Sequence, residues 1–366
     1  MKKIAIITVG LSKVFAGEKC GGGEILLKNL IFSLLDFSDV SISILSPDNQ
    51  SVTQNIKQKY PMFNFITYAT SPYSLDVIQN LNKIISKENF DLVINYNMYI
   101  PFKTTILQCH SYIHKANNVH PLLRPIKKFL SRKKIETQKK LFNATKSNSD
   151  FIAVSQKIKD DYSKNFNIPP EKIKVIYPGV TSYPQKEHEK HKKLTFSIVA
   201  NSSLNKGGHY LLFALGLLNL TRKNFNLQLI APKFKKDPLM LFLVFLFNLK
   251  NKISVLPFQK DMTDFYSKTD VLVIPSLNEA FGLVCLEAMA NKIPCLVSSF
   301  AGCSEIINKE NGFVFNRSSF FDFLKQLNNI LNIYNNNHSL FQKISISAYN
   351  SSKNFSWHSF AEKVIE

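Results

Sequence analysis

The sequence has few cysteines, and their spacing excludes the sites that cysteines usually build. The five are an odd number without paired spacing: Cys20, Cys109, Cys285, Cys295 and Cys303. Neither a disulfide framework nor a cysteine-rich metal site is indicated. We therefore expect reduced thiols in a cytosolic protein, with no metal in its function.

Acidic residues are also scarce relative to basic ones. The 366 residues hold 46 Lys and Arg against 26 Asp and Glu, which gives a formal net charge of +20. Such an excess indicates an anionic partner. No helix-turn-helix, zinc-finger or RNP segment is apparent, so we expect no nucleic acid and favour membrane phospholipid or a phosphorylated glycolipid.

Long apolar runs are missing as well. The most apolar segment, residues 237–249, contains PLMLFLVFLFNL between flanking lysines, which is short of the ~20 residues that cross a bilayer. We favour a buried helix there, and the alternative is an apolar surface that dips into a membrane. The opening residues 1–9 are likewise too short for a signal peptide and predict a first β-strand.

The elements that are present alternate between strand and helix. A length of 366 residues with 45% apolar and 20% charged residues is typical of a folded protein of two domains. The alternation predicts a doubly wound parallel sheet, whose ligand crevice lies beyond the carboxyl ends of its strands. In the first half we predict strands at 3–9, 40–45, 63–68, 92–95, 104–109, 151–154 and 173–176, and helices at 24–35, 74–86 and 155–166.

Two features of the first half lie at such strand ends. Gly21, Gly22 and Gly23 close a glycine loop between the first strand and the first helix, which suits a phosphate or substrate, although turns collect glycine anyway. His110 directly follows a strand and is a candidate substrate contact, whereas a lone histidine is more often structural. His114 and His120 are weaker candidates.

Residues 121–142 are the most basic stretch, with leucine, isoleucine and phenylalanine at helical spacing. One interpretation is an amphipathic helix on an anionic membrane, and the other is a helix packed on the sheet with a solvated charged face. The candidate membrane contacts are Lys127, Lys128, Arg132, Lys133 and Lys134.

The most informative stretch is residues 275–294, PSLNEAFGLVCLEAMANKIP. It follows an apolar run and predicts strand, turn and a helix that begins near Phe281 and Gly282. The free N–H groups of the first turn lie between Glu279 and Glu287, and a helix N-terminus suits a phosphate. Two carboxylates around a phosphate site suit a nucleotide sugar. The alternative is an ordinary βα unit in which Glu279 helps to cap the helix and Glu287 is solvated.

This stretch resembles the nucleotide-sugar motif of the retaining family 4 glycosyltransferases, the lipopolysaccharide and lipid glycosyltransferase group. The family pattern is P-S-x-x-E-x-F-G-L-V-x-L-E-A-M-A-x-G-x-P, and Lys292 stands at its second glycine. Weaker resemblances run nearly from end to end: the G-G-x-E segment at residues 21–24, P-G-V at 178–180, K-G at 206–207, A-G-C-S-E at 301–305, N-G-F-V at 311–314 and F-S-W at 355–357. The family's arginine five positions before Lys206 is absent, and Asn201 stands there.

The resemblance implies a GT-B fold, in which two Rossmann-like domains face a central cleft. The acceptor domain would span 1–180, the linker 181–193 and the nucleotide-sugar domain 194–352, with a final helix at 353–366 that packs back on the first domain. Glu287 would contact the ribose, and Lys206 with the backbone from Phe281 through Gly282 to Leu283 would hold the diphosphate. Glu279 and His110 would contact the sugar.

The resemblance further implies transfer with retention, without metal or cofactor, from a nucleotide sugar, with a UDP-sugar favoured. For the acceptor we favour a cell-envelope saccharide or glycolipid at the cytoplasmic face of the membrane, because of the basic excess. Two alternatives remain: a nucleotide-sugar epimerase of the same fold, and a non-catalytic binding subunit that would explain Asn201, Lys292 and Ala301 as decay.

Overall fold

The computed structural model describes residues 1–8, 15, 21–46, 50–68, 76–96, 104–108, 136, 143, 149–181, 191–199, 203–222 and 224–366. The chain divides into two compact units. One unit comprises Met1–Gly179 together with Trp357–Glu366, and the other comprises Val180–Ser356.

The first unit is built on a seven-stranded parallel sheet. The strands are β1 (Lys2–Ile7), β2 (Val40–Ser46), β3 (Asn64–Thr67), β4 (Leu92–Tyr96), β5 (Thr105–Gln108), β6 (Asp150–Ala153) and β7 (Ile173–Val175). Their order in the sheet is β3-β2-β1-β4-β5-β6-β7, and every pairing is parallel. The order reverses between β1 and β4, as in a doubly wound sheet.

Helices of the first unit cover that sheet. In the described part of the chain they are α1 (Gly22–Ser33), α2 (Gln50–Lys59), α3 (Asp76–Glu88), α4 (Gln156–Phe166) and α12 (Trp357–Ile365). The last helix belongs to this unit because Phe360, Ala361 and Val364 are buried and the His358 ring stacks on Phe37 at 4.7 Å. The chain therefore returns to its first unit at its end.

The second unit has a six-stranded parallel sheet. Its strands are β8 (Leu194–Val199), β9 (Phe225–Ile230), β10 (Ile253–Leu256), β11 (Val271–Ile274), β12 (Cys295–Ser298) and β13 (Gly312–Phe315). The order β10-β9-β8-β11-β12-β13 reverses between β8 and β11, which places the topological switch point at their carboxyl ends. The strands β11 and β12 are buried along their whole length, as strands covered on both faces require.

Among the described residues of the second unit, the α-helices are α5 (Ser203–Lys206), α6 (Gly208–Thr221), α7 (Pro238–Leu246), α8 (Thr263–Ser267), α9 (Leu283–Ala290), α10 (Phe320–Asn336) and α11 (His338–Ser352). Aromatic side chains dominate the core that they form with the sheet. Phe315 on β13 packs against Phe323 on α10 with ring centroids 4.3 Å apart, and both are fully buried. The prediction of a doubly wound α/β fold is confirmed in both units.

The apolar segment at 237–249 differs from the buried helix that the sequence favoured. Within α7 only Met240 and Leu243 are buried, and the opposite face of the helix is exposed. The prediction was wrong because apolar residues occupy both faces of α7, whereas its two buried residues, Met240 and Leu243, lie one helical turn apart on a single face. Within the described residues, no helix is both long and apolar enough to cross a membrane.

Candidate functional site

The candidate site lies at the carboxyl edge of the second sheet, where loops from four strands meet. Lys206 follows β8, the segment 275–282 follows β11, Ser299 follows β12 and Arg317 follows β13. The N–H of Leu277 donates to the carbonyl of Asn205 at 3.0 Å, so the loops after β8 and β11 are joined directly. A doubly wound sheet places ligands at this edge.

Lys206 and Glu279 form an ion pair between the Lys206 Nζ and the Glu279 Oε2. The Ser276 hydroxyl donates to the same Glu279 oxygen at 3.5 Å, and the Glu279 carbonyl accepts the N–H of Gly302 at 2.9 Å. Both charged side chains remain partly exposed, with 35% and 18% of their surface accessible. The structure therefore unites two predicted site residues that are 73 positions apart, in a place that a ligand can reach.

Gly207 lets the chain after β8 lie close to the segment after β11. Its φ is +76°, in the left-handed region, and a Cβ on it would lie 2.3 Å from the carbonyl oxygen of Pro275. Only glycine fits this position, because other residues are strained at this φ and their Cβ would overlap the Pro275 oxygen. Gly207 also separates two helices, because α5 ends at Lys206 and α6 begins at Gly208.

The central helix α9 begins at Leu283, slightly later than expected, with Gly282 as its N-cap at φ +101°. A Cβ on Gly282 would come within 3.2 Å of Glu279 Cγ and Cys303 Sγ. Phe281 is 3% exposed, so its ring belongs to the core and only its backbone can face a ligand. The N–H of Cys285 donates to the Gly282 carbonyl at 2.8 Å, and the N–H groups of Leu283 and Val284, which precede it in the first turn, suit an anion.

Glu287 is not the solvated residue of the simpler alternative. The Tyr266 hydroxyl donates to Glu287 Oε2 at 2.6 Å, and Asn291 Nδ2 donates to the Glu287 carbonyl at 2.7 Å. Burial raises the pKa of Glu287, and the hydrogen bond from Tyr266 lowers it by less. Nor does Glu279 cap α9, since no side chain bonds at that cap. Both carboxylates are held by the protein in specific pairs.

The partly buried Glu287 carboxylate gives a pH-dependent expectation for stability. A folded-state pKa above the unfolded value means that burial of the charged form opposes folding, and this cost vanishes below the unfolded pKa. Glu287→Gln, which keeps an acceptor for Tyr266, is expected to melt at a higher temperature than wild type at pH 7.5. The difference should shrink as the pH falls toward 4. Thermal melts at both pH values measure it, and a difference independent of pH would contradict the assignment to Glu287.

Arg317 is a site residue that the sequence reasoning missed. Its guanidinium carbon lies 3.7 Å from the centroid of the Tyr210 ring, and its Nε donates to the Pro275 carbonyl at 3.1 Å. Burial lowers its pKa, and none of the ion pairs found in the described ranges includes it. A partly buried cation without a carboxylate beside Pro275 suits an anionic ligand. No local pattern marks Arg317, because tertiary folding alone brings β13 to this edge. Tyr266 was missed for the same reason.

The glycine loop of the first unit was also predicted as a phosphate or acceptor contact. Gly21 is the N-cap of α1, and its N–H donates to Glu24 Oε2 at 3.0 Å. A Cβ on Gly22 would meet no atom within 4 Å, and Gly21 and Gly22 are both exposed. The surface beside Gly22 is therefore open, and packing does not explain its glycine.

Several predicted contacts lie outside the described residues: His110, Lys127, Lys128, Arg132, Lys133 and Lys134. Asn201, which stands in place of the family's arginine, lies outside them too. In the part of the chain that is described, no three His, Cys, Asp or Glu side chains are placed to hold a metal ion. Cys285, Cys295 and Cys303 are buried and form no disulfide.

Two glycosyltransferase families match the two halves of the chain. Residues 20–182 match Glycosyltransferase Family 4, and residues 180–345 match Glycosyl transferases group 1. Two doubly wound domains with this site define the GT-B class of proteins. The chain belongs to the family 4 glycosyltransferases of that class, as the motif resemblance indicated.

Curated relatives and solved structures agree with this placement. The chain is 32% identical over 185 residues to an uncharacterized glycosyltransferase of Methanocaldococcus jannaschii, covering 46% of each chain. It is 29% identical over 160 residues to the O-antigen chain mannosyltransferase RfbU of Salmonella typhimurium, covering 43% of this chain and 44% of that one. The alignments thus span slightly less than half the length of these two relatives.

A similar solved structure is that of HepE from Anabaena in complex with UDP and glucose. Its TM-score is 0.73 at 16% identity, and the match covers 100% of this chain and 98% of that one. At this identity the likeness shows the fold alone.

Proposed function

We propose that the protein is a retaining glycosyltransferase that moves a hexose from a nucleoside diphosphate sugar to a cell-envelope saccharide or glycolipid. The observation that carries the proposal is the Lys206–Glu279 pair beside the Gly282 cap of α9. A cation and free helix N–H groups suit a diphosphate, and an adjacent carboxylate suits sugar hydroxyls. UDP is the favoured nucleotide because the similar structure of HepE contains UDP and glucose.

Each residue then has a distinct task. The diphosphate displaces Glu279 from Lys206 and accepts hydrogen bonds from the backbone at Gly282 and Leu283. The released Glu279 accepts hydrogen bonds from hydroxyl groups of the sugar, which His110 also contacts on the family's pattern. Glu287, oriented by Tyr266, accepts hydrogen bonds from the ribose hydroxyls. Lys206 neutralises the charge that grows on the leaving diphosphate as the glycosidic bond breaks.

Arg317 supplies the second cation in this proposal. The family's arginine is absent at Asn201, and Arg317 reaches the Pro275 carbonyl, the same carbonyl that Gly207 approaches next to Lys206. Its ring contact with Tyr210 fixes the guanidinium plane, which prepares it for a phosphate. The site then holds two cations without an arginine at position 201.

The donor role requires neither a metal nor a cofactor in this proposal, because Lys206 and Arg317 carry the positive charge. The acceptor would be a lipid-linked or lipopolysaccharide saccharide at the cytoplasmic face of the membrane. This choice is supported by the net charge of +20 and by the O-antigen mannosyltransferase among the relatives.

Calorimetric titration of the purified protein with UDP, GDP and ADP tests the donor site. We expect one nucleotide to bind with micromolar affinity. Glu287→Ala should weaken it by ~1–3 kcal/mol because a hydrogen bond to a charged acceptor is lost. Arg317→Gln should weaken it by a similar amount. Glu310→Ala, an exposed glutamate of the same unit, is the matched control and should bind as wild type does.

The outcomes separate the competing functions. Failure of all three nucleotides to bind would refute the donor site and favour a subunit with another ligand. Binding without turnover of the corresponding nucleotide sugar would identify a non-catalytic binding subunit. Conversion of the nucleotide sugar to its epimer without an acceptor would identify an epimerase. An unaltered affinity in Arg317→Gln would refute the second cation while leaving the donor site in place.

A further inference from the structure

The short helix α7 presents an unusual outward face. Asp237 caps it by accepting the N–H of Met240 at 3.1 Å, and Pro238 occupies its first turn. Met240 and Leu243 hold it against the core. At 100° per residue, the side chains opposite these two share one broad outer arc. Every residue on that arc beyond Pro238 is large and apolar: Leu239, Leu241, Phe242, Phe245 and Leu246.

We call these five residues the α7 face, and its exposure is large. Phe245 is 85% exposed and Phe242 is 56% exposed, while the three leucines lie between 44% and 54%. Single exposed apolar side chains are ordinary on a protein surface. Five on one nine-residue helix form a contiguous patch of the kind that marks an interaction site.

Aromatic contacts extend the patch beyond the helix. Phe247 follows α7 and meets the ring of Phe213 at 5.7 Å, and Phe213 meets Phe320 at 5.3 Å. Phe320 in turn neighbours Phe321 at 6.5 Å, and Phe321 is 81% exposed. The apolar surface therefore continues from α7 across α6 to the start of α10.

The chain on either side of α7 is rich in lysine and poor in acidic residues. Residues 232–252 contain five lysines and a single acidic residue, Asp237. The Asp237 carboxylate already has a partner, since His209 Nε2 lies 2.8 Å from its Oδ1. The exposed lysines on either side of the helix are Lys233, Lys235, Lys236 and Lys250.

We propose that the α7 face docks on an anionic lipid bilayer. Phenylalanine and leucine side chains enter the boundary between headgroups and acyl chains, and the flanking lysines contact anionic headgroups. A helix of nine residues extends about 14 Å, so it lies in the interface and does not span it. A second copy of this chain is a poorer occupant, because it would bring two lysine-flanked faces together. The proposal does not depend on the identity of the donor or on turnover.

Vesicle flotation with the full-length protein tests the docking. The vesicles contain equal amounts of phosphatidylglycerol and phosphatidylethanolamine, and phosphatidylcholine vesicles serve for comparison. We expect wild type to float with the anionic vesicles. Phe242→Gln with Phe245→Gln should weaken partitioning by about tenfold or more, because partitioning scales with the apolar area inserted. Lys235→Glu with Lys236→Glu should weaken binding to anionic vesicles selectively.

The matched control replaces exposed apolar residues elsewhere in the same unit. Ile346 and Leu340 on α11 are 52% and 39% exposed, and Ile346→Gln with Leu340→Gln should leave flotation unchanged. Phe242 and Phe245 lie outside the core, so their double variant should melt at or above the wild-type temperature. Flotation of that variant equal to wild type would overturn the proposal. So would a wild-type dimer in gel filtration that the phenylalanine variant dissociates, because the occupant would then be a second copy.

Discussion

Replacing Lys206 with methionine is expected to lower kcat/KM for release of the nucleoside diphosphate by about 10²–10³-fold, or ~3–4 kcal/mol. Methionine keeps much of the length of the side chain and removes the charge that pairs with Glu279. The loss should fall mainly on kcat, since the diphosphate gains negative charge as the glycosidic bond breaks. Steady-state assays of nucleoside diphosphate release, with the nucleotide sugar that calorimetry identifies, measure it.

The matched control is Lys268→Met. Lys268 belongs to the same unit and also pairs with a carboxylate, Asp264 Oδ2 at 2.7 Å, but both side chains are mostly exposed. Its removal should change turnover less than threefold, because exposed ion pairs contribute little. If Lys206→Met retained turnover equal to that of Lys268→Met, the role of Lys206 at the diphosphate would be wrong.

The second large effect concerns stability. Gly207→Ala is expected to destabilise the second unit by ~3–5 kcal/mol, because two costs add. A residue with a Cβ is strained at φ +76°, and that Cβ would lie 2.3 Å from the Pro275 oxygen, so the loops after β8 and β11 must separate. Urea unfolding followed by circular dichroism measures the change in the free energy of unfolding.

Two further variants separate these costs. Asparagine tolerates left-handed φ better than alanine does. Gly207→Asn therefore removes part of the backbone strain but still places a Cβ too close to the Pro275 oxygen. We expect it to remain destabilised by at least ~2 kcal/mol, because the contact alone forces the backbone apart. Gly22→Ala, whose Cβ meets nothing within 4 Å, should change stability by less than ~0.5 kcal/mol. A Gly207→Asn protein as stable as wild type would refute the contact argument.

The two predictions test the same loop junction from opposite sides. Gly207 allows the backbone at Lys206 to approach the segment after β11, and this approach lets Lys206 pair with Glu279. Gly207→Ala should therefore also reduce nucleotide affinity in the fraction that remains folded. Lys206→Met should leave the free energy of unfolding nearly unchanged, because its side chain is partly exposed.

Local sequence patterns determined much of the fold. The apolar run before residue 275 and the turn residues after it predicted β11, the loop and the start of α9, the last with an error of one or two residues. Local patterns suffice there because buried strands and helix starts depend on residues that are adjacent in the chain. The position of His110 and the basic stretch at 121–142 remain predictions, since both lie outside the described residues.

The sequence by itself determined the two doubly wound domains, the family, and the presence of Glu279, Gly282 and Glu287 around one helix start, because each depends on neighbours in the chain. Tertiary structure alone decided the partners: Lys206 for Glu279, Tyr266 for Glu287, and Pro275 for Arg317. It also decided which face of α7 is exposed. Apolar residues occupy both faces of that helix, so only the burial of Met240 and Leu243 shows which face is turned to the core. Periodicity specifies elements, whereas strand order and loop packing bring distant residues together, and no local pattern records that order.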